Sequence, residues 1–129
     1  MKILIAFFCL FLSISQASHS ASYETLKNTA IKDGKFLWVF IETEGCFYCK
    51  KMRKELIDSG LFEKELSRTY VFVPVNDRKA QDLHLEVQFF PTSYIINPRT
   101  NSKEEHFIGY TEANEFIKIL HYIHPNPVK

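Results

Sequence analysis

Residues 36–49 read Phe-Leu-Trp-Val-Phe-Ile-Glu-Thr-Glu-Gly-Cys-Phe-Tyr-Cys, and the hydrophobic period changes within that stretch. Phe36 to Ile41 is an unbroken apolar run of the kind that suits a strand covered on both faces. Glu44-Gly45 marks a turn. From Cys46 to about Asp58, Cys49, Met52 and Leu56 fall at i, i+3 and i+7 on one helical face, while Lys50, Lys51 and Lys54 point elsewhere. Ser59-Gly60 ends that helix. A buried central strand feeding directly into a helix is the start of an α/β unit.

Working outward, the rest of the chain extends the same pattern. Upstream, Leu26, Ala30 and Ile31 have helical spacing over Tyr23 to Lys32, stopped at Asp33-Gly34, where glycine can take the left-handed cap conformation. Downstream, a short helical piece, Leu61 to Leu66, leads to an apolar strand, Tyr70 to Val75, closed by Asn76-Asp77. Ala80 to Val87 has room for one or two helical turns. Thr92 to Ile96 and Glu105 to Ile108 form a hairpin around the Asn97-Pro98 turn. Thr111 is placed to cap a last helix carrying Ala113, Phe116, Ile117 and Leu120 on one face. The order αβαβαββα predicts an α/β fold: parallel pairing by crossover in the first half, a hairpin in the second, and a mixed four-stranded sheet sandwiched by helices.

Composition sets the outer limits. With 129 residues, 46% of them hydrophobic, the chain builds one core and one domain. The 16 basic and 15 acidic side chains nearly cancel, so there is no electrostatic field to draw nucleic acid, and none is expected as a partner. Lys2, the apolar run Ile3 to Leu12, and Ser15 and Ala17 at cleavage-site spacing read as a secretory signal peptide over residues 1–17, with cleavage as late as residue 20. The run is too short for a membrane anchor. The mature domain is then residues 18–129. Cys9 leaves with the leader, so the exported chain keeps only Cys46 and Cys49, in a compartment where disulfides persist.

That pair stands where a strand gives way to a helix. The first sulfur there meets unpaired backbone N–H groups and the positive end of the helix dipole, which favour thiolate over thiol. A thiolate can attack a disulfide, and a second cysteine one helical turn inward can resolve the mixed disulfide that forms. Competing readings are weaker. A structural zinc site wants four ligands, and only scattered histidines, His84, His106, His121 and His124, are there to complete one; they read as surface residues. Haem attachment requires histidine directly after the second cysteine, where Lys50 stands. An inert disulfide closing so short a loop adds little stability. The cluster Lys50, Lys51, Arg53 and Lys54 reads as a solvated helix face.

Together these segments resemble the thioredoxin superfamily. The resemblance rests on the strand Phe36 to Ile41 before Cys46-Phe47-Tyr48-Cys49, on Phe90-Pro91-Thr92 before a strand, on the Asn97-Pro98 turn, and on Phe107-Ile108-Gly109-Tyr110 before the last helix. It spans roughly Tyr23 to His124 and implies a thioredoxin-like fold. It also implies that Pro91 is a cis-proline facing the cysteine pair, and that the backbone of Phe90 meets the substrate chain. Phe47, Tyr48, Phe89 and Phe90 would then surround the sulfur as an apolar patch for extended protein substrates, with core and surface equally open for Phe89. The chain departs from thioredoxins proper: Phe47-Tyr48 replaces Gly-Pro, Gly45 replaces tryptophan, Phe40 stands for the buried acid, and Val73 for its lysine partner. Proton transfer to Cys49 then needs another group, and Glu42, at the strand end, is the candidate.

The expected activity is thiol–disulfide exchange at Cys46 and Cys49 in the periplasm, by a monomer, without cofactor or metal. Only Asn76 to Phe90 separates the second strand from the cis-proline strand, which leaves no room for the helical insertion of the superfamily's dedicated oxidases. Nor do the residues ahead of Tyr23 supply an isomerase's dimerisation domain. Reduction or exchange of disulfides in exported proteins, recharged by a membrane electron donor, is therefore favoured. Oxidase or isomerase activity and a non-catalytic chaperone or binding module are the alternatives.

Overall fold

A computed structural model describes residues 21–125; the stretch read as a signal peptide, residues 1–17 with Cys9, lies outside the described residues. The strand at the centre of the sequence is also the centre of the sheet. β1 (Phe36–Ile41) is buried at every position. It pairs in parallel with β2 (Tyr70–Val75), Phe36 opposite Tyr70 and Ile41 opposite Val75. On its other edge it pairs antiparallel with β3 (Thr92–Asn97), Leu37 opposite Ile96 and Ile41 opposite Thr92. β3 continues antiparallel into β4 (Ser102–Ile108), giving the sheet order β2-β1-β3-β4. The helices are α1 (Tyr23–Asp33), α2 (Phe47–Arg53), α3 (Leu61–Glu65), α4 (Asp77–Asp82) and α5 (Ala113–Ile123). A mixed four-stranded sheet between helical layers is the architecture the periodicity predicts.

Strand alternation divides the core in two. Phe36, Trp38 and Phe40 pack with Cys49, Met52 and Leu56 below the cysteine-bearing helix and with Phe116, Ile117 and Leu120 of α5. Leu37, Val39 and Ile41 pack on the other face with Ala30 of α1, Ala80 of α4, and Val73, Val75 and Ile96. The buried indole of Trp38 donates to Ser93 Oγ at 3.0 Å, so the largest core side chain carries no orphaned N–H.

Several local expectations need correction. The helix expected from Cys46 to Asp58 is α-helical only to Arg53 and then widens into a π-helical turn, Lys54–Asp58, closed by Ser59 N–H donating to Lys54 O. The turn of helix sought over Ala80 to Val87 starts earlier, because Asn76 caps it: its Oδ1 accepts from Lys79 N at 2.8 Å. The last helix is capped by Glu112 and not Thr111, its two carboxylate oxygens accepting from Asn114 N and Glu115 N. β4 runs longer than Glu105 to Ile108, with exposed polar residues at its start that carry no hydrophobic alternation to read. Gly34 does close α1 in the left-handed conformation, φ 67°.

Val73 is also misassigned. The residue opposite Phe40 is Pro74, while Val73 pairs with Val39 and faces the other core. A shift of one position along a strand exchanges its faces. His124, read as a surface residue, is half-buried: its ring stacks on Phe36 at 3.7 Å and its Nδ1 shares a hydrogen bond with Tyr70 Oη at 2.8 Å.

Candidate functional site

The register of the sheet assembles the site at one end. β1 ends beside the start of β3, and Ile108, the last residue of β4, pairs with Thr92. The segments after Ile41, before Thr92 and after Ile108 therefore meet at a single edge. They carry Cys46, Phe90-Pro91 and Tyr110. Gly109 N–H donates to Pro91 O at 2.7 Å, which ties two of the three together. The Phe90–Pro91 peptide bond is cis, as the resemblance implies.

Gly45, at φ 71°, turns the chain from the strand edge into α2. Cys46 caps that helix in an extended conformation, and its Sγ accepts from Cys49 N–H at 3.1 Å. The two sulfurs form a disulfide across the first helical turn, with the Cα atoms 5.3 Å apart. They are not equivalent. Cys46 is half-buried at the rim, whereas Cys49 is 3% exposed and belongs to the core face of α2. The first turn of α2 holds no acidic residue, and basic ones follow it. Helix cap, dipole and neighbouring cations all favour negative charge on the outer sulfur once the bond is reduced.

Phe47 and Tyr48 project outward, 70% and 53% exposed, and Phe89 before the Pro91 bend is 64% exposed, so Phe89 belongs to the surface. Phe90 is half-buried against both cores, and Pro91 is buried.

Glu42 follows the same strand face as Trp38 and Phe40, two residues beyond, and so looks toward α2. Arg53 reaches it from that helix, Nη1 to Oε1 at 2.5 Å, while its guanidinium lies 5.6 Å from the Phe72 ring centre. The solvated-face reading holds for Lys50, Lys51 and Lys54 but not for this half-buried arginine. A cleft of about 910 Å³ brings Cys49 together with Glu42, Glu44, Lys50, Arg53, Pro74 and Asp77. Fully buried Phe40 lies in the same packing cluster as Cys49, so the wall beneath that sulfur is apolar and polar groups approach from the cleft. Among the described residues, no three His, Cys, Asp or Glu side chains gather as a metal-holding group, and no helix is long and apolar enough to cross a membrane.

Sequence reading passed over Tyr110 and Glu55. Tyr110 Oη donates to Glu55 Oε2 at 2.5 Å, and that bond, ahead of burial, pushes the phenol pKa up to about 12. Its ring lies 5.7 Å from that of Tyr48 and 4.7 Å from Lys51 Nζ. The signal was present: Tyr48, Lys51 and Glu55 recur at i, i+3 and i+7. Nothing in the chain named Tyr110 as the group they face.

No curated protein sequence matches the chain. Solved structures do. A thioredoxin from Thermus thermophilus shares 23% identity over 78% of this chain and 82% of its own, with a TM-score of 0.63. A thioredoxin-fold protein from Helicobacter pylori shares 18% over 73% and 71%, at 0.62. The C-terminal domain of Neisseria meningitidis DsbD, in its oxidised form, shares 13% over 78% and 91%, at 0.60. At these identities the likeness establishes the fold. The family profile described as a thioredoxin-like domain matches residues 23–124, nearly everything the structure describes, and this chain, with its Cys46–Cys49 disulfide, belongs to that family.

Proposed function

We propose that this protein is a periplasmic thiol–disulfide oxidoreductase that reduces or exchanges disulfides in exported proteins. One observation carries the reading: Cys46, half-buried at the rim, caps α2 with its sulfur, which accepts the N–H of Cys49, a residue buried one turn inward. In the dithiol form the Cys46 thiolate attacks one sulfur of a substrate disulfide, forming a mixed disulfide and releasing the first substrate thiolate. Cys49 loses its proton and attacks Cys46 Sγ. The second substrate thiolate departs, and the Cys46–Cys49 disulfide is left behind. Two electrons have passed to the substrate, and a membrane dithiol donor returns them. The leader over residues 1–17 sends the chain to its compartment, where it works as a monomer.

Phe47, Tyr48, Phe90 and Pro91 form the surface on which the substrate chain lies. Glu42 accepts the Cys49 proton through the cleft, the side from which polar groups reach that sulfur. Glu42→Gln should slow release of the mixed disulfide about tenfold and shift its pH profile; an unchanged profile removes Glu42 from the mechanism.

Insulin reduction and refolding of a scrambled protein test the whole reading. Cys46→Ser abolishes both, and Cys49→Ser accumulates a mixed disulfide with the substrate. A potential near that of strong oxidants reverses the direction to disulfide formation. The exposed Phe47, Tyr48 and Phe89 also suit a non-catalytic binding module; retention of function by Cys46→Ser would favour it and defeat the enzymatic reading.

A further inference from the structure

The substrate surface proposed above has two walls that no covalent link holds at a fixed distance. One is the start of α2 with Tyr48; the other is the Phe90-Pro91 bend. Their spacing depends on whatever bridges them, and one short segment does so. Gly109 N–H is bonded to Pro91 O at 2.7 Å, which fastens the β4–α5 connection to the second wall. The next residue, Tyr110, reaches the first wall: its hydroxyl donates to Glu55, its ring packs on Tyr48, and Lys51 lies over its face. Lys51 and Glu55 are themselves 3.9 Å apart on successive turns, which steadies the acceptor. Tyr48, Lys51 and Glu55 form one stripe of helix, and Tyr110 closes over all of it.

We propose that Tyr110 is a positioning residue, clamping α2 to the Pro91 bend and so fixing the spacing of the two walls between which a substrate chain lies. The assignment rests on the oxidoreductase reading above and deepens it: the clamp selects protein disulfides over small ones. A small disulfide reaches Cys46 without engaging both walls, whereas a protein substrate must lie between them. Loosening the clamp therefore penalises the larger substrate.

The test compares two substrates on the full mature protein: insulin, and a small aromatic disulfide whose reduction is followed by absorbance. Tyr110→Phe keeps the ring but loses the donor. It should lower kcat/KM for insulin about five- to tenfold, mainly through KM, and by several-fold more than it lowers the rate with the small disulfide. Glu55→Ala should do the same. Glu55→Gln keeps a carbonyl oxygen for the tyrosine and should retain the wild-type preference between the two substrates. The clamp is overturned if Tyr110→Phe leaves that preference unchanged, if both substrates fall in parallel with thermal stability, or if Glu55→Gln behaves like Glu55→Ala. A wild-type protein that reduces neither substrate brings down the oxidoreductase reading itself, and the clamp with it.

Discussion

The two faces of β1 hold cores of different character. On one, Trp38 meets Phe72 at 4.7 Å and Phe116 at 4.9 Å between ring centres, and the layer extends to Cys49, Met52 and Leu56. On the other, Leu37, Val39 and Ile41 meet chiefly aliphatic side chains, Ala30, Val73, Val75, Ala80, Leu85 and Ile96, with Tyr94 the one buried ring in the cluster. The aliphatic layer is packing alone. The aromatic layer is packing that also floors the Cys46–Cys49 disulfide, and its large rings make that floor apolar. Phe40 keeps that core unbroken, and the acid that continues its strand face, Glu42, lies at the rim, where it meets Arg53 beside the cleft.

That contrast can be broken by substitution. The largest effect is expected at Trp38, 1% exposed and hydrogen-bonded to Ser93. Trp38→Ala should cost about 3–5 kcal/mol in urea unfolding of the oxidised protein. It should also change the reactivity of Cys46 toward a small disulfide, because the helix bearing the pair rests on the same layer. Ile41→Val, in the aliphatic layer, should cost only about 0.5–1.5 kcal/mol and leave that reactivity at the wild-type level. If Ile41→Val altered reactivity as much as Trp38→Ala, the division between the layers would have no functional meaning.

The smallest expected effect is a dependence on pH at the far end of the aromatic layer. Burial there lowers the pKa of His124 below the ordinary histidine value, against the opposing pull of Glu104 and Glu105. The folded protein thus resists protonation more than the unfolded chain does. Stability from this group is full above the unfolded value of about 6.5 and declines as pH falls below it, levelling off beneath the folded pKa. His124→Asn, which does not titrate, should flatten that part of the stability–pH curve; an unaltered slope would show that His124 is not its source.

Much of this is legible in the order of the amino acids. The apolar run 36–41 named the central strand because a strand covered on both faces buries all six of its consecutive apolar, largely aromatic and β-branched residues. The i, i+3, i+7 spacing of Cys49, Met52 and Leu56 placed one sulfur inward. Helix caps were harder. Glu112 and Asn76 cap through side-chain geometry, whereas Thr111 was the expected cap of the last helix and Ala80 only the expected start of the helix that Asn76 begins. Val73 was assigned to the wrong face because a strand's period of two gives no tolerance for an error of one. His124 carried no periodic signal; its partners, Phe36 and Tyr70, lie far away along the chain.

By itself the amino-acid order determined which segments are strands and helices, which cysteine lies outside and which inside, and that Glu42 continues the face of Trp38 and Phe40. These follow from local stereochemistry and the periodicity of burial. Tertiary structure alone decided that Arg53 holds Glu42, that Tyr110 closes over Tyr48 and Glu55, and that the Pro91 bend lies beside both. Those contacts join residues distant in the chain, and their partners are chosen by strand register and by where a helix comes to rest, quantities that no short window of sequence contains.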